Sequence, residues 1–167
     1  VRSISIRPSP NKPILAGRIA LIGALPTHVG PIASRLRAAD VMECAAMGHT
    51  GRQALRIGLL SSSICLTATV DGRPEAMLGL VVTNALCGEG SPWMLGTDEI
   101  YRHPRAMLGW APGVLAAMLD ATPRLENLVG EGNHRAIRYL RRIGFTIAKE
   151  VIMIAGTPFV RFSQERR

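Results

Sequence analysis

A chain of 167 residues is the size of one globular domain, and 47% hydrophobic against 19% charged residues excludes a disordered chain, because that apolar content offsets chain entropy. The net charge of +8 is almost all arginine, with lysine only at positions 12 and 149, and such a surface attracts nucleic acid, acidic proteins or a polyanionic cosubstrate. No apolar run reaches the ~18 residues that span a bilayer, so no membrane span is expected. Cys44, Cys65 and Cys87 are odd in number and lack the short spacings of metal or redox sites, which points to buried thiols in a reducing, cytoplasmic setting and to no metal.

Residues 1–13 carry Pro8, Pro10 and Pro13 without a hydrophobic period and are expected as an extended arm, leaving 14–167 as a single domain. The apolar run 19–25, ended by Pro26, reads as a first strand. From His28 the apolar positions Ile32, Leu36, Val41, Cys44 and Met47 fall three to five apart, which predicts one or two short helices. Leu55, Ile57 and Leu59 extend that pattern over 51–60.

The period then changes. Residues 64–70 are rich in β-branched side chains, Asp71-Gly72 is a two-residue hairpin signal, and 76–86 is a second apolar run, so two antiparallel strands are expected. A turn follows over 87–90 and a strand over 93–100. Met107, Leu108, Trp110, Leu115, Met118 and Leu119 have helical spacing, broken by Pro112-Gly113, so the helix over 104–121 is expected to start late or kink. Trp93 and Trp110 read as core or cleft walls.

A short strand over 125–129 and a turn over 130–132 lead to Asn133, whose side chain suits a helix N-cap. Ala136, Ile137, Leu140 and Ile143 line one face of the helix behind it, and Gly144 stops it as a left-handed cap would. Strands over 145–154 and 157–162 close the chain. The order predicts an α+β fold, a mixed and mainly antiparallel twisted sheet of about seven strands flanked by helices.

The run Asn133, Ala136, Arg142, Gly144, Phe145 resembles the last motif of the GNAT superfamily of acyl-CoA N-acyltransferases, N-x-x-A-x-x-x-Y-x-K-x-G-F, with Arg in place of Lys. From about Leu36 to Phe162 the chain also resembles the GNAT-like internal virion and acetyltransferase-like proteins of tailed phages. That likeness rests on Arg37-Ala-Ala-Asp40 with Glu43-Cys44, on Val70 to Pro74, Ser91 to Asp98, Pro123 to Asn127, and Pro158 to Phe162.

The resemblance implies a sheet splayed in the middle, where the backbone of Leu95, Gly96 and Thr97 holds the acetyl-pantetheine arm of acetyl-CoA. The helix led by Asn133 folds over the slot. The glycines of the family's phosphate loop fall here on His103, Arg105 and Met107, so Arg102, His103 and Arg105 would grip the phosphates through side chains. Asp98 or Glu99 would take a proton from the amine. Tyr139, one place before the family's tyrosine position, is the candidate acid for the departing thiolate and otherwise a packing residue. Glu126 is expected to pair with an arginine of the last helix.

The activity so implied is transfer of an acetyl group to a primary amine of a protein or small molecule, without a metal. The alternative is an inactive GNAT-like internal virion or interaction protein whose basic surface meets DNA or virion proteins. A phage relation places the protein in the host cytoplasm or packaged in the virion.

Overall fold

Alternation along one long strand sorts the core into two layers. In β4 (Arg73–Asn84) Met77 packs with Val29 and Ile32 of α1 (Pro26–Ala33) and Leu55 of α3 (Gly51–Ser61), while its neighbours Ala76, Leu78 and Leu80 face Met107, Trp110 and Met118 of α4 (Pro104–Ala121). The first face thus carries α1 and α3, with α2 (Ala38–Ala46) between them in sequence. The second carries α4 and α5 (His134–Arg142), whose Ile137 joins the same cluster.

This computed structural model describes residues 14–16 and 18–166; the expected arm over 1–13 lies outside them. The remaining strands are β1 (Ile14–Ala16), β2 (Ile19–Gly23), β3 (Ile64–Val70), β5 (Glu89–Gly96), β6 (Arg124–Gly130), β7 (Thr146–Ile154) and β8 (Thr157–Glu165). They form one sheet of eight strands in the order β1-β2-β3-β4-β5-β6-β8-β7, antiparallel everywhere except between β5 and β6. The extra strand is β1, which pairs with β2 where a single strand was expected. The α+β class and the mainly antiparallel sheet stand as predicted.

Several boundaries differ from those read in the sequence. The strand expected over 93–100 lies at Glu89–Gly96, so the expected turn over 87–90 already runs into it, and 100–102 form a 3-10 turn. Gly88 and Gly90, read as part of the turn, flank the first residue of the strand, and Pro92 sits inside β5, where a proline is tolerated because its missing N–H faces no ladder. α4 starts at Pro104 rather than late, since proline suits the first turn, and the interior Pro112 and Gly113 lie on its exposed side. At α5 the Asn133 side chain accepts from Ala136 N, and Gly144 has φ +104°, as the cap and stop residues predict.

Candidate active site

The middle of the sheet is open. β5 pairs with β4 from Asn84↔Glu89 to Ala76↔Gly96, but with β6 only at Glu89↔Arg124 and Gly90↔Leu125. Pairing to β6 stops just before Pro92, which has no N–H to offer.

Antiparallel strands alternate the direction of their backbone groups. Thr97 N donates to Glu75 O at 2.8 Å, so Thr97 and Leu95 turn their polar groups toward β4 and the even-numbered residues turn theirs into the gap. Contacts from other elements agree: Pro92 O accepts from Asn127 Nδ2 at 3.0 Å, and Gly96 O accepts from Arg37 N at 3.1 Å. Met94 lies between them, its N–H and C=O directed into the gap with no partner among the described residues.

The wide end of the gap is closed by α2. Arg37, Asp40 and Glu43 recur every third residue, which brings them to one side of the helix. Arg37 pairs with Asp40, whose other oxygen accepts from Gly96 N at 2.9 Å. Glu43 Oε1 accepts from Gly130 N at 3.0 Å and from Asn133 Nδ2 at 2.7 Å, while Asn133 Oδ1 accepts from Arg37 at 3.5 Å. The guanidinium of Arg37 lies 3.9 Å over the ring of Tyr101, and its Nε is buried without a hydrogen-bond partner. Burial raises the pKa of Asp40 against the pull of Arg37, and raises that of Glu43 against its hydrogen bonds from Asn133 and Gly130.

A cavity of about 500 Å³ passes through the splay. Cys44, Met47 and Ile57 of α2, its following turn and α3 line it on one face, and Trp110, Val114 and Tyr139 on the other, with Met94 between. The lining is mostly apolar, as small-molecule sites are. Tyr139 donates its hydroxyl to Met107 O at 3.2 Å, and burial pushes its phenol up to about 12.

The residues expected to form the site fall in different places. Leu95 spends its backbone groups and Thr97 its N–H on β4, and Gly96 spends its own on α2, so among the described residues Met94 is the one that keeps both polar groups free in the gap. Leu95, Asn133 and Tyr139 line the cavity, whereas Asp98 and Glu99 do not. Asp98 is exposed and stands 3.8 Å from Arg135, and Glu99 is held by Arg102 at 2.9 Å and His103 at 3.1 Å. Arg105 projects into solvent from the first turn of α4.

Glu126 pairs with Arg161 of β8 at 3.4 Å rather than with the last helix, because β6 and β8 are neighbours. Cys44 is buried but Cys87 is exposed, contrary to the expectation of buried thiols, because it sits in the turn between β4 and β5. Among the described residues no group of His, Cys, Asp and Glu could hold a metal, and no helix is long and apolar enough to cross a membrane. Reading the sequence for its site missed Arg37, Asp40, Glu43 and Met94. The spacing of the first three shows that they share a side of a helix but not what they meet; Met94 faces the gap through its backbone, which its side-chain type does not announce.

The sequence matches no family model and no curated protein. Solved structures do match. A ribosomal L7/L12 alpha-N-protein acetyltransferase, RimL, in complex with coenzyme A is 10% identical with a TM-score of 0.64, over 93% of this chain and 98% of that one. An acetyltransferase of the GNAT family from Bacillus anthracis is 10% identical with a TM-score of 0.65, over 92% and 98%. An aminoglycoside acetyltransferase, AAC(6')-Ib, in complex with coenzyme A is 14% identical with a TM-score of 0.63, over 89% and 95%. Likeness at these identities is likeness of fold, and the chain has the fold of the GNAT acetyltransferases.

Proposed function

We propose that the protein is an acyl-CoA-dependent N-acyltransferase that moves an acetyl group from acetyl-CoA to a primary amine. The observation that carries this reading is the free backbone of Met94 in an apolar cavity lined from both faces of the sheet. An unpaired N–H and C=O inside a fold is costly unless something fills the place, and an extended amide-bearing arm such as pantetheine matches both groups.

The residues present fit such a cosubstrate in part. Met94 N–H and C=O would hold the arm, and the exposed Arg105 with Arg102 and His103 would hold the phosphates at the start of α4. Acetyl-CoA supplies a thioester carbonyl and a thiolate leaving group. Tyr139 is protonated at neutral pH, as an acid must be, and lines the same cavity.

One observation favours a second reading, an inactive GNAT-like protein of phage type that works in the virion by contact alone. Arg37 and Asp40 occupy both backbone groups of Gly96, so α2 fills part of the path that an extended ligand would take along β5.

Thermal unfolding with acetyl-CoA separates the two. A binder melts higher by an amount set by ligand concentration over Kd, about 2.7 kcal/mol at a hundredfold excess. No shift at millimolar acetyl-CoA removes the acyltransferase reading. Where a shift is seen, replacing Arg102 and Arg105 together by Ala should shrink it, and an undiminished shift removes the proposed phosphate grip.

A further inference from the structure

Glu43 is a half-buried carboxylate with no cation in contact among the described residues, and Arg37 favours its charged form only from a distance. Arg37 is committed to Asp40, and Glu43 forms no ion pair among the described residues. Its Oε1 accepts from Gly130 N and Asn133 Nδ2, whereas Oε2 accepts from no group among the described residues. The approach is close because residue 130 is glycine: a Cβ there would stand 2.9 Å from Oε1. The side chain is therefore held firmly while one oxygen is left over in the wall of the cavity. That oxygen is not among the buried atoms without a partner, so it stays accessible from the cavity, and a free carboxylate oxygen there suits a site whose ligand brings the opposite charge.

The approach to that oxygen is apolar. On the α2–α3 face the cavity is rimmed by Met47 and Ile57, which are 41% and 47% exposed, and lined by Cys44 and Ala54. Exposed apolar side chains at the rim of a cavity mark a place that another apolar group covers. The charge says what that group carries. The wall also carries His49 and the Arg37–Asp40 pair, whose opposite charges act against each other on Glu43, so the throat ends on the one carboxylate without an ion partner and is complementary to an ammonium on an apolar body.

We propose that this mouth is the acceptor site, that it takes a primary amine borne on an apolar group, and that Glu43 binds the ammonium and removes its proton. This rests on the acyltransferase reading and adds to it the class of acceptor and the base. Glu43 takes one proton from the ammonium and passes it to solvent. As the C–N bond forms the C–S bond breaks, the electron pair leaves on sulfur, and sulfur gains the second proton that nitrogen gives up. Tyr139 lines the cavity from the opposite face of the sheet and would relay that second proton once its hydroxyl leaves Met107 O. The base thus stands on the α2 side of the splay and the acid on the α4–α5 side. Asp98 and Glu99 lie outside the cavity and are tied to arginines.

Calorimetric titration with 3-methylbutylamine and with ethanolamine, each with and without coenzyme A, tests the site without turnover. The apolar amine should bind about tenfold or more tighter than ethanolamine. Glu43→Gln keeps the acceptor oxygen for Gly130 and Asn133 and should abolish that binding while leaving the melting shift by acetyl-CoA in place. Ile57→Lys, at an exposed position, should abolish it by repulsion. In turnover, Glu43→Gln should lower kcat/KM roughly 100-fold and remove the acidic limb of its pH profile.

Absence of amine binding to the wild-type protein under both conditions, or a Glu43→Gln variant that binds and transfers as the wild type does, overturns the proposal. A wild-type protein that ignores acetyl-CoA fails the acyltransferase reading alone, and the titrations still decide for or against Glu43 as the ammonium site.

Discussion

The two halves of the sheet are built alike and joined differently. Eight residue pairs link β4 to β5 and seven link β6 to β8, yet two link β5 to β6. Elsewhere along that seam side chains take over: Asn127 reaches Pro92, Asp40 reaches Gly96, and Glu43 spans to Gly130 and Asn133. A backbone ladder is indifferent to most substitutions, so the halves tolerate change at single positions. The seam depends on individual polar groups in poor contact with water, and that is also where unpaired groups remain for a ligand.

The largest effect should therefore come from the seam. Asp40→Ala leaves Arg37 buried without its counter-ion and Gly96 N–H without an acceptor. Losing one partner of a buried pair costs about 3–5 kcal/mol, which in a chain of this size lowers Tm by roughly 10 °C. Arg161→Ala removes a half-exposed pair with Glu126 inside the C-terminal half and should cost under about 1 kcal/mol. Urea unfolding of both variants decides: equal losses would break the distinction between seam and ladder.

A smaller effect is expected at the narrow end of the splay. Asn127→Ala removes the side-chain bond to Pro92 O, and one such bond contributes about 1 kcal/mol. The same variant widens the cavity beside Met94, so an acetyl-CoA melting shift should survive it. A loss of stability as large as that of Asp40→Ala would mean that the braces act as one unit rather than at two separate ends.

The same contrast explains what could be read from the sequence. The β3–β4 hairpin was legible because Asp71-Gly72 and the flanking apolar runs act locally, and the Asn133 cap because its partner is Ala136, three residues on. β5 was placed too late because the glycines at 88 and 90 read as a turn, and what extends the strand back to Glu89 is pairing with Asn84 and Arg124, which no local pattern shows. The splay came from family resemblance, not from pattern.

The candidate site was less legible still. Asp98 and Glu99 drew attention as carboxylates at a strand end; Glu99 is held by Arg102 and His103, three and four residues on, a local signal that was there to be read, whereas Arg135 beside Asp98 lies away on α5. Glu43 meets Gly130 and Asn133 almost ninety positions away, and nothing local announces that meeting. Tyr139 was placed in doubt by a one-residue offset, yet its helix turns it into the cavity. Buried polar partners far apart in sequence are what a single chain hides best.

The smallest expected effect is a pH dependence, and its sign follows from burial. Glu43 has its pKa raised in the folded protein, so between the ordinary glutamate value near 4.3 and that raised value the folded state binds more protons than the unfolded one. Its contribution to stability is greatest below the ordinary value and declines as pH rises through the window. Gln at this position keeps the hydrogen bonds to Oε1 and does not titrate, so the stability of wild type relative to Glu43→Gln should fall as pH rises from about 4. The fall is modest because Asn133 and Gly130 already offset part of the cost of burial. Paired urea curves at stepped pH measure it, and a difference that rises with pH would mean that Glu43 is held charged by a cation, leaving no reason for the cavity to seek one.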